Sequence, residues 1–294
     1  MKKNTFLVFA FALLLGMPWI TSAQEVNEEY NYNSLRPIRK SDMMYLNTLW
    51  WRMDMREKQN EAFFAEGNQI TQIIVDAVKA GVLRPFTDDK LETRMSLNEF
   101  LENLKLPESG MDEDPIDGWP SEEEIWPDGD GTEPWTGEGS LTDGTTIEGA
   151  ESAGDDEFLT KQMPILEIKT QLIFDKKRSR MYREVESITI VIPGDYYPSG
   201  IDKKLATFSY KELVENVFVD NPNATWYNSQ NIVEHRNLAD AFDLNLESAQ
   251  LIRYANPRDA YIEDIYNGDL KVALGKSQEY THGLLEKESN TWSN

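Results

Sequence analysis

Cysteine is absent from the 294 residues. That excludes disulfide scaffolds, cysteine nucleophiles, thiolate zinc and iron–sulfur sites, and a lipidated N-terminal cysteine. Histidine is confined to His235 and His282, which argues against a histidine-rich metal centre. Positive charge is scarce: 29 Lys and Arg stand against 52 Asp and Glu, for a formal charge of −23. Such a chain has no basic footprint for nucleic acid and no bulk attraction to an anionic membrane surface. Long apolar runs are missing as well. The one run present, residues 6–15, is too short to span a bilayer. It follows Lys2 and Lys3 and precedes Pro18 and Thr21-Ser22-Ala23, the pattern of a secretory signal peptide over residues 1–23. The expected mature chain begins near Gln24 and is exported. Without disulfides it depends on its apolar core, and about 270 residues are enough to build one.

The charge is unevenly distributed. Residues 106–160 hold no Lys or Arg, while 107–157 hold 18 of the acidic residues, nine of the 17 glycines and five of the 13 prolines. Most of the net charge therefore belongs to this segment. It has too little apolar surface to offset chain entropy, so residues 107–160 are expected to be disordered. Trp119-Pro120, Trp126-Pro127 and Pro134-Trp135 recur in it among Gly and acids. Three readings compete: a solvated linker kept extended by its charge, an adhesive strip whose tryptophans dock on a partner or neighbouring subunit, and a weak calcium site at Asp128-Gly129-Asp130-Gly131. The last lacks the third oxygen ligand and the distal Glu of a full loop.

The segment separates an N-terminal helical region, residues 24–106, from a C-terminal α+β region, residues 161–294; the two can form one domain. In the first, Ser41 heads an expected helix to about Phe64, with Met43, Leu46, Trp50 and Met53 at helical spacing. A second helix follows Asn68, with Ile70, Ile73, Ile74, Ala77 and Val78 on one face and Gly81 as its stop. Ser96 and Glu99 form a capping-box pair for a third helix burying Leu97, Phe100, Leu101 and Leu104. In the C-terminal region, Leu166, Ile168, Thr170, Leu172 and Phe174 alternate at strand period. A polar turn at residues 175–178 and a second strand over 181–192 complete a hairpin ending at Pro193-Gly194. Ser209 and Glu212 form another capping box. Asn256, Pro257 and Gly268 bracket a short helix, and a last helix follows Asp269, weakened by Gly275. Strands and helices in separate runs favour an α+β fold over a doubly wound sheet. Asn223-Ala224-Thr225 matches a glycosylation sequon by chance.

No nucleophile elbow, Walker loop, dinucleotide turn or zinc-binding His-Glu-x-x-His helix is present. His235, beside Glu234 and five residues before Asp240, reads as a surface residue rather than a catalytic one. The acid-rich Glu122-Glu123-Glu124 lies in the expected disordered segment, unsuited to paired-carboxylate hydrolysis. Asp54, Arg56, Glu57 and Lys58 form a better-ordered charged set. A salt-bridge network is the simpler reading there than an acid role for Glu57. The residues give no positive evidence for an enzyme, and apart from the weak calcium reading no cofactor or metal site is expected.

Two stretches resemble a known family. Arg36-Pro37-Ile38-Arg39 followed by Trp50-x-x-x-Asp54-x-Arg56-Glu57-Lys58-x-Asn60 is similar to the opening of the GldN/PorN family. Phe174-Asp175-Lys176-x-Arg178-Ser179-x-Met181, at the hairpin turn, is a second match in the right order. A Thr87-Asp88-Asp89 stretch before the third helix agrees too. The likeness covers residues 36–106 and 161–292. Trp51 stands where a basic residue is more usual, Leu172 and Ile173 stand where an aromatic pair is expected, and the acidic segment falls outside the pattern, as in a divergent member. The resemblance implies a non-enzymatic periplasmic subunit of the type IX secretion system of Bacteroidota, which also supports gliding. It implies a ring formed with an outer-membrane lipoprotein (GldK/PorK) and contact with a motor component (GldM/PorM). It brings no catalytic residues. Trp50, Asp54, Arg56 and Lys58 are the candidate partner-contact residues; the competing reading places Trp50 in the core and the charges on a solvated face. An exported carbohydrate-binding or carbohydrate-degrading protein is the alternative, supported by the tryptophans and the export signal.

Overall fold

The computed structural model describes residues 30–107, 157–231 and 233–292. The signal-peptide assignment, the tryptophan repeats, Glu122-Glu123-Glu124 and the weak calcium reading all fall outside these residues. The fold is α+β. Its strands are β1 (Met43–Asp54), β2 (Ile165–Asp175), β3 (Arg180–Ile192), β4 (Lys203–Ser209), β5 (Thr225–Trp226), β6 (Arg236–Asn237) and β7 (Gln250–Tyr254). Its helices are α1 (Ile70–Lys79), α2 (Leu97–Leu104), α3 (Tyr210–Leu213), α4 (Leu238–Asp243), α5 (Ile262–Ile265) and α6 (Leu270–Trp292). Five strands form one antiparallel sheet of order β4-β3-β2-β1-β7, and β5 and β6 form a small ribbon.

The expected long helix over residues 41–64 is instead strand β1, paired with β2 on one side and β7 on the other. The same residues carry a second period. Leu49, Trp51, Met53 and Met55 alternate, and Leu49, Met53 and Met55 are buried. An apolar run that supports both periods is decided by its neighbours, and here two strands supply a ladder. The chain then leaves the strand through a turn (Glu57 N to Asp54 O, 3.3 Å) into a short 3₁₀ helix, Glu61–Phe63.

The β2–β3 hairpin forms as its alternation predicts, from Asp175 opposite Arg180 to Ile165 opposite Val191. Its turn is built by Asp175, whose Oδ1 accepts from the Lys177 and Arg178 amides at 2.8 and 3.2 Å. Ser179 adopts a left-handed φ of 51° to close it.

One face of the sheet meets the main core. Met53, Leu166, Ile168, Ile188, Ile190 and Phe208 pack there against Ile70, Ile74 and Val78 of α1, Phe100 and Leu104 of α2, and Phe242 of α4. A smaller cluster of Leu49, Leu251, Ile262 and Ala273 seats α6. There Ser277 donates to Leu251 O at 2.7 Å, and Tyr280 stacks on Tyr254 with centroids 4.4 Å apart.

Helix ends follow the local chemistry with some departures. Gly81 stops α1 at a φ of 75°, and Ser96 Oγ accepts from the Glu99 amide to cap α2. Leu97, expected inside, is exposed, whereas Phe100 and Leu104 are buried. Ser209 makes no side-chain cap on α3, and the Glu212 carboxylate, instead of reaching back to the Ser209 amide, is taken by Arg94 at 2.5 and 2.9 Å. Asn256 does not cap a helix. Its Oδ1 accepts from the Arg258 and Ala260 amides to shape a turn, Asp259 sits at a φ of 50°, and α5 begins later at Ile262. Gly268 ends α5 as expected, and Asp269 caps α6 by accepting from the Lys271 and Val272 amides.

Residues 105 and 157 lie close together. Lys105 forms an antiparallel bridge with Glu157, and Phe158 N donates to Leu104 O at 2.9 Å. The strands on either side of the acidic segment, β1 and β2, are neighbours in one sheet.

Candidate functional site

The face of the sheet turned from the main core carries chemistry in rows. Strand alternation places Trp50, Arg52 and Asp54 on it, opposite to Leu49, Trp51 and Met53. The ladder then aligns Arg253, Trp50, Lys169, Ser187 and Ser209 in one row, and Arg52, Glu167, Thr189 and Thr207 in the next. The loop before α2 lies over the first row. Phe86 exchanges two main-chain hydrogen bonds with Thr207 on the outer edge of β4, and the loop continues to Asp89 above Trp50.

Asp89 is the centre of the first row. Its Oδ2 accepts from Trp50 Nε1 at 2.8 Å and from Arg253 Nη2 at 2.5 Å. The Arg253 guanidinium lies 3.8 Å from the Trp50 ring centroid, and its other arm reaches Asp259 at 3.1 Å. Lys169 Nζ donates to Asp89 O at 3.0 Å and pairs with Glu186 at 3.1 Å. Burial alone would raise the Asp89 carboxyl. The Trp50 hydrogen bond and the charges of Arg253 and Lys169 outweigh it and hold the group below the usual carboxylate range.

A cleft of about 680 Å³ opens beside the second row, lined among others by Arg52, Glu167, Asp202, Lys204 and Tyr261. Its two cations are matched internally, while Glu263 and Asp264 add further acids to its lining. Arg52 pairs with Asp202 at 2.6 Å, and Lys204 pairs with Glu167 at 2.7 Å and donates to Tyr261 Oη at 3.1 Å. Desolvation would lower Lys204, but Glu167 more than compensates and its ammonium is held above the usual lysine range. Cations neutralised in this way are positioned to hold a surface in shape rather than to transfer protons. Among the described residues no group of three or more acids or histidines could hold a metal ion. His235 is an exposed residue whose Nδ1 accepts from the Asn228 amide, with its ring against Tyr227.

The four candidate contact residues do not share a helix face. Trp50 is 9% exposed, beneath Asp89 and Arg253. Asp54 ends β1 and pairs with Arg56 at 2.7 Å across a tight turn, while Glu57 and Lys58 stand exposed beyond it. Of the expected salt-bridge network the set forms a local pair, Asp54 with Arg56. Burial would raise Asp54, but hydrogen bonds from Arg56 hold it low. Asn60 clamps this turn: its Nδ2 donates to Asp54 O and Ser248 O, and its Oδ1 accepts from Ser248 N at 2.8 Å. Arg253 carries no signal in the sequence, because nothing local marks the β7 run. Asp89 was signalled by the Thr87-Asp88-Asp89 stretch, though not its partners.

Comparison with protein families places these features. Residues 38–293 match the family model described as gliding motility associated protein GldN. A search of curated proteins finds no match. No described helix is long and apolar enough to cross a membrane.

Proposed function

The chain belongs to the GldN family of gliding-motility and type IX secretion components, and from that premise we propose that it is a non-enzymatic periplasmic assembly subunit. In this reading it is exported by the signal peptide over residues 1–23. It associates with itself and with a GldK/PorK-like outer-membrane lipoprotein in a ring, and meets a GldM/PorM-like motor component. The family match over nearly the whole described chain carries the proposal. The internally neutralised charges of the sheet face support it, since they suit a shaped contact surface better than a reaction centre.

Within this reading the contact residues divide in two. Asp54, Arg56 and Lys58 lie at the exposed end of β1 and offer the touching surface. Trp50 acts beneath it, fixing the sheet face through Asp89 and Arg253. The test is purification of the tagged chain from solubilised envelope. Co-purification of the lipoprotein is the expected result, and recovery of the chain alone would overturn the assembly role. An Arg56→Glu chain is expected to retain its fold and lose lipoprotein; unchanged recovery would remove this end of β1 from the interface.

A further inference from the structure

Six exposed cations crowd one end of the sheet in an otherwise acidic chain. Arg39 and Lys40 lead into β1, and Lys176, Lys177, Arg178 and Arg180 form the tip of the β2–β3 hairpin. The two stretches touch, since Lys176 N donates to Asp42 O at 2.8 Å and Met43 pairs with Asp175. Arg178 is tied to Asp175 at 3.0 Å. Lys40, Lys176, Lys177 and Arg180 have no ion-pair partner among the described residues.

The same end is an open sheet edge. β7 pairs with β1 only over residues 49–52. Ala255 N still donates to Thr48 O at 2.9 Å, and there the pairing stops. Leu46, two residues earlier, turns its main chain to the same side as Thr48. It has no backbone partner there among the described residues. Its side chain is 51% exposed, and Met44, at the bulge of β1, is 69% exposed. A groove of about 430 Å³ adjoins this edge, lined by Tyr45, Tyr266, Tyr280, Leu284 and Lys287 with the Lys276–Glu279 ion pair beside them. Sheets ordinarily shield such edges, and an unshielded one accepts an extended segment.

We propose that this basic, open end of the sheet holds the acidic tryptophan tract of the same chain, residues 112–135. The tract supplies ten carboxylates and no cation, together with Trp119, Trp126 and Trp135. Its acids match the four unmatched cations, and its indoles match Leu46, Met44 and the tyrosine-lined groove. Reach is sufficient. The tract's stem at Lys105 and Glu157 lies by sequence near the far end of β2, which is about 35 Å long. Trp126 is 19 residues beyond Pro107, and chain of that length extends to about 60 Å. An anionic bilayer is the poorer occupant, because the net charge of −23 opposes its approach.

The test uses the full mature chain with benzoylphenylalanine in place of Met44, irradiated when dilute, with linked peptides identified by mass spectrometry. The expected result is a link within one polypeptide to a peptide from residues 112–135. K176E/K177E/R180E, or high salt, should weaken it by about fivefold or more. The salt arm needs no charge substitution, so a misfolded triple variant does not blunt the test. No link, or a link to any other part of the chain, overturns the proposal. Links found only between two polypeptides also overturn it, and assign the edge to a second copy.

Discussion

Arg253 and Trp50 share one acceptor. The guanidinium lies over the indole face at 3.8 Å, and both side chains donate to Asp89 Oδ2. The arrangement couples β7, β1 and the loop before α2 through a cation that is only 8% exposed. Arg253→Ala removes the stack and leaves Asp89 half-buried without its main counter-charge. It is expected to cost about 2–3 kcal/mol. Arg253→Lys should recover less than half of that, because an ammonium cannot stack and bridge together. Urea unfolding of the three proteins decides it; equal midpoints would show the triad to be inconsequential.

Asp175 gives the fold an acid-sensitive joint. Its burial would raise the carboxyl, but the Arg178 and Lys177 amides and the Arg178 guanidinium hold it below the ordinary value. A carboxyl lowered by folding contributes in full above its unfolded value, near pH 4, and loses that contribution as pH falls through the folded value. Asp175→Asn should destabilise the protein at neutral pH by about 1–3 kcal/mol and flatten the acid limb of its stability curve. Unfolding midpoints measured from pH 7 down to pH 3 check both features. Parallel curves for the two proteins would contradict the assignment.

Alternation along β1 makes a sharp contrast between neighbours. Met53 is fully buried, whereas Arg52 pairs with Asp202 at the surface of the cleft. Met53→Ala should cost about 2–5 kcal/mol and Arg52→Ala less than about 1 kcal/mol. Asn60→Ala should cost about 1–3 kcal/mol, since it strands three half-buried main-chain partners. Equal costs at residues 52 and 53 would argue against the strand.

These residues also show what the sequence could reveal. The hairpin, α1, the cap of α2 and the start of α6 rest on short-range signals, alternation, Ser and Asp caps and a left-handed Gly, and they form as expected. β1 is not decided locally, because Met43, Leu46, Trp50 and Met53 fit one period while Leu49, Trp51, Met53 and Met55 fit another. Only pairing with β2 and β7 selects between them. The family-like motifs were visible, but their roles were not. Trp50, Asp54 and Asn60 meet Asp89, Arg56 and Ser248, and two of these three partners are distant in sequence.

Gly194 is a steric requirement of the β3–β4 connection. A Cβ there would meet Gly200 O at 2.4 Å, a backbone atom that cannot rotate aside. Its amide also donates to Asp202 at 2.8 Å, and Asp202 in turn holds Arg52. Gly194→Ala should cost about 1–3 kcal/mol through displacement of this connection. Gly275, with open space around its α-carbon, should accept Ala in α6 with a gain of up to about 1 kcal/mol. Thermal melts of the two variants should therefore move in opposite directions, and a shared direction would refute the packing argument.

The stem of the acidic segment predicts how much the body depends on it. Lys105 and Glu157 are bridged, Lys79 pairs with Glu157 at 2.7 Å, and Phe158 is buried in the main core directly after them. Replacing residues 108–156 with a short Gly-Ser link keeps all three features and shortens the loop that folding must close. The stability of the body should then change by less than about 1 kcal/mol, because its core and the stem bridge are untouched and surface ion pairs in general add little. Extending the deletion through Phe158 should cost about 3–5 kcal/mol by emptying a core position. If the first deletion alone unfolds the protein, the bridge at Lys105 does not close the sheet by itself, and the segment is part of the folding unit.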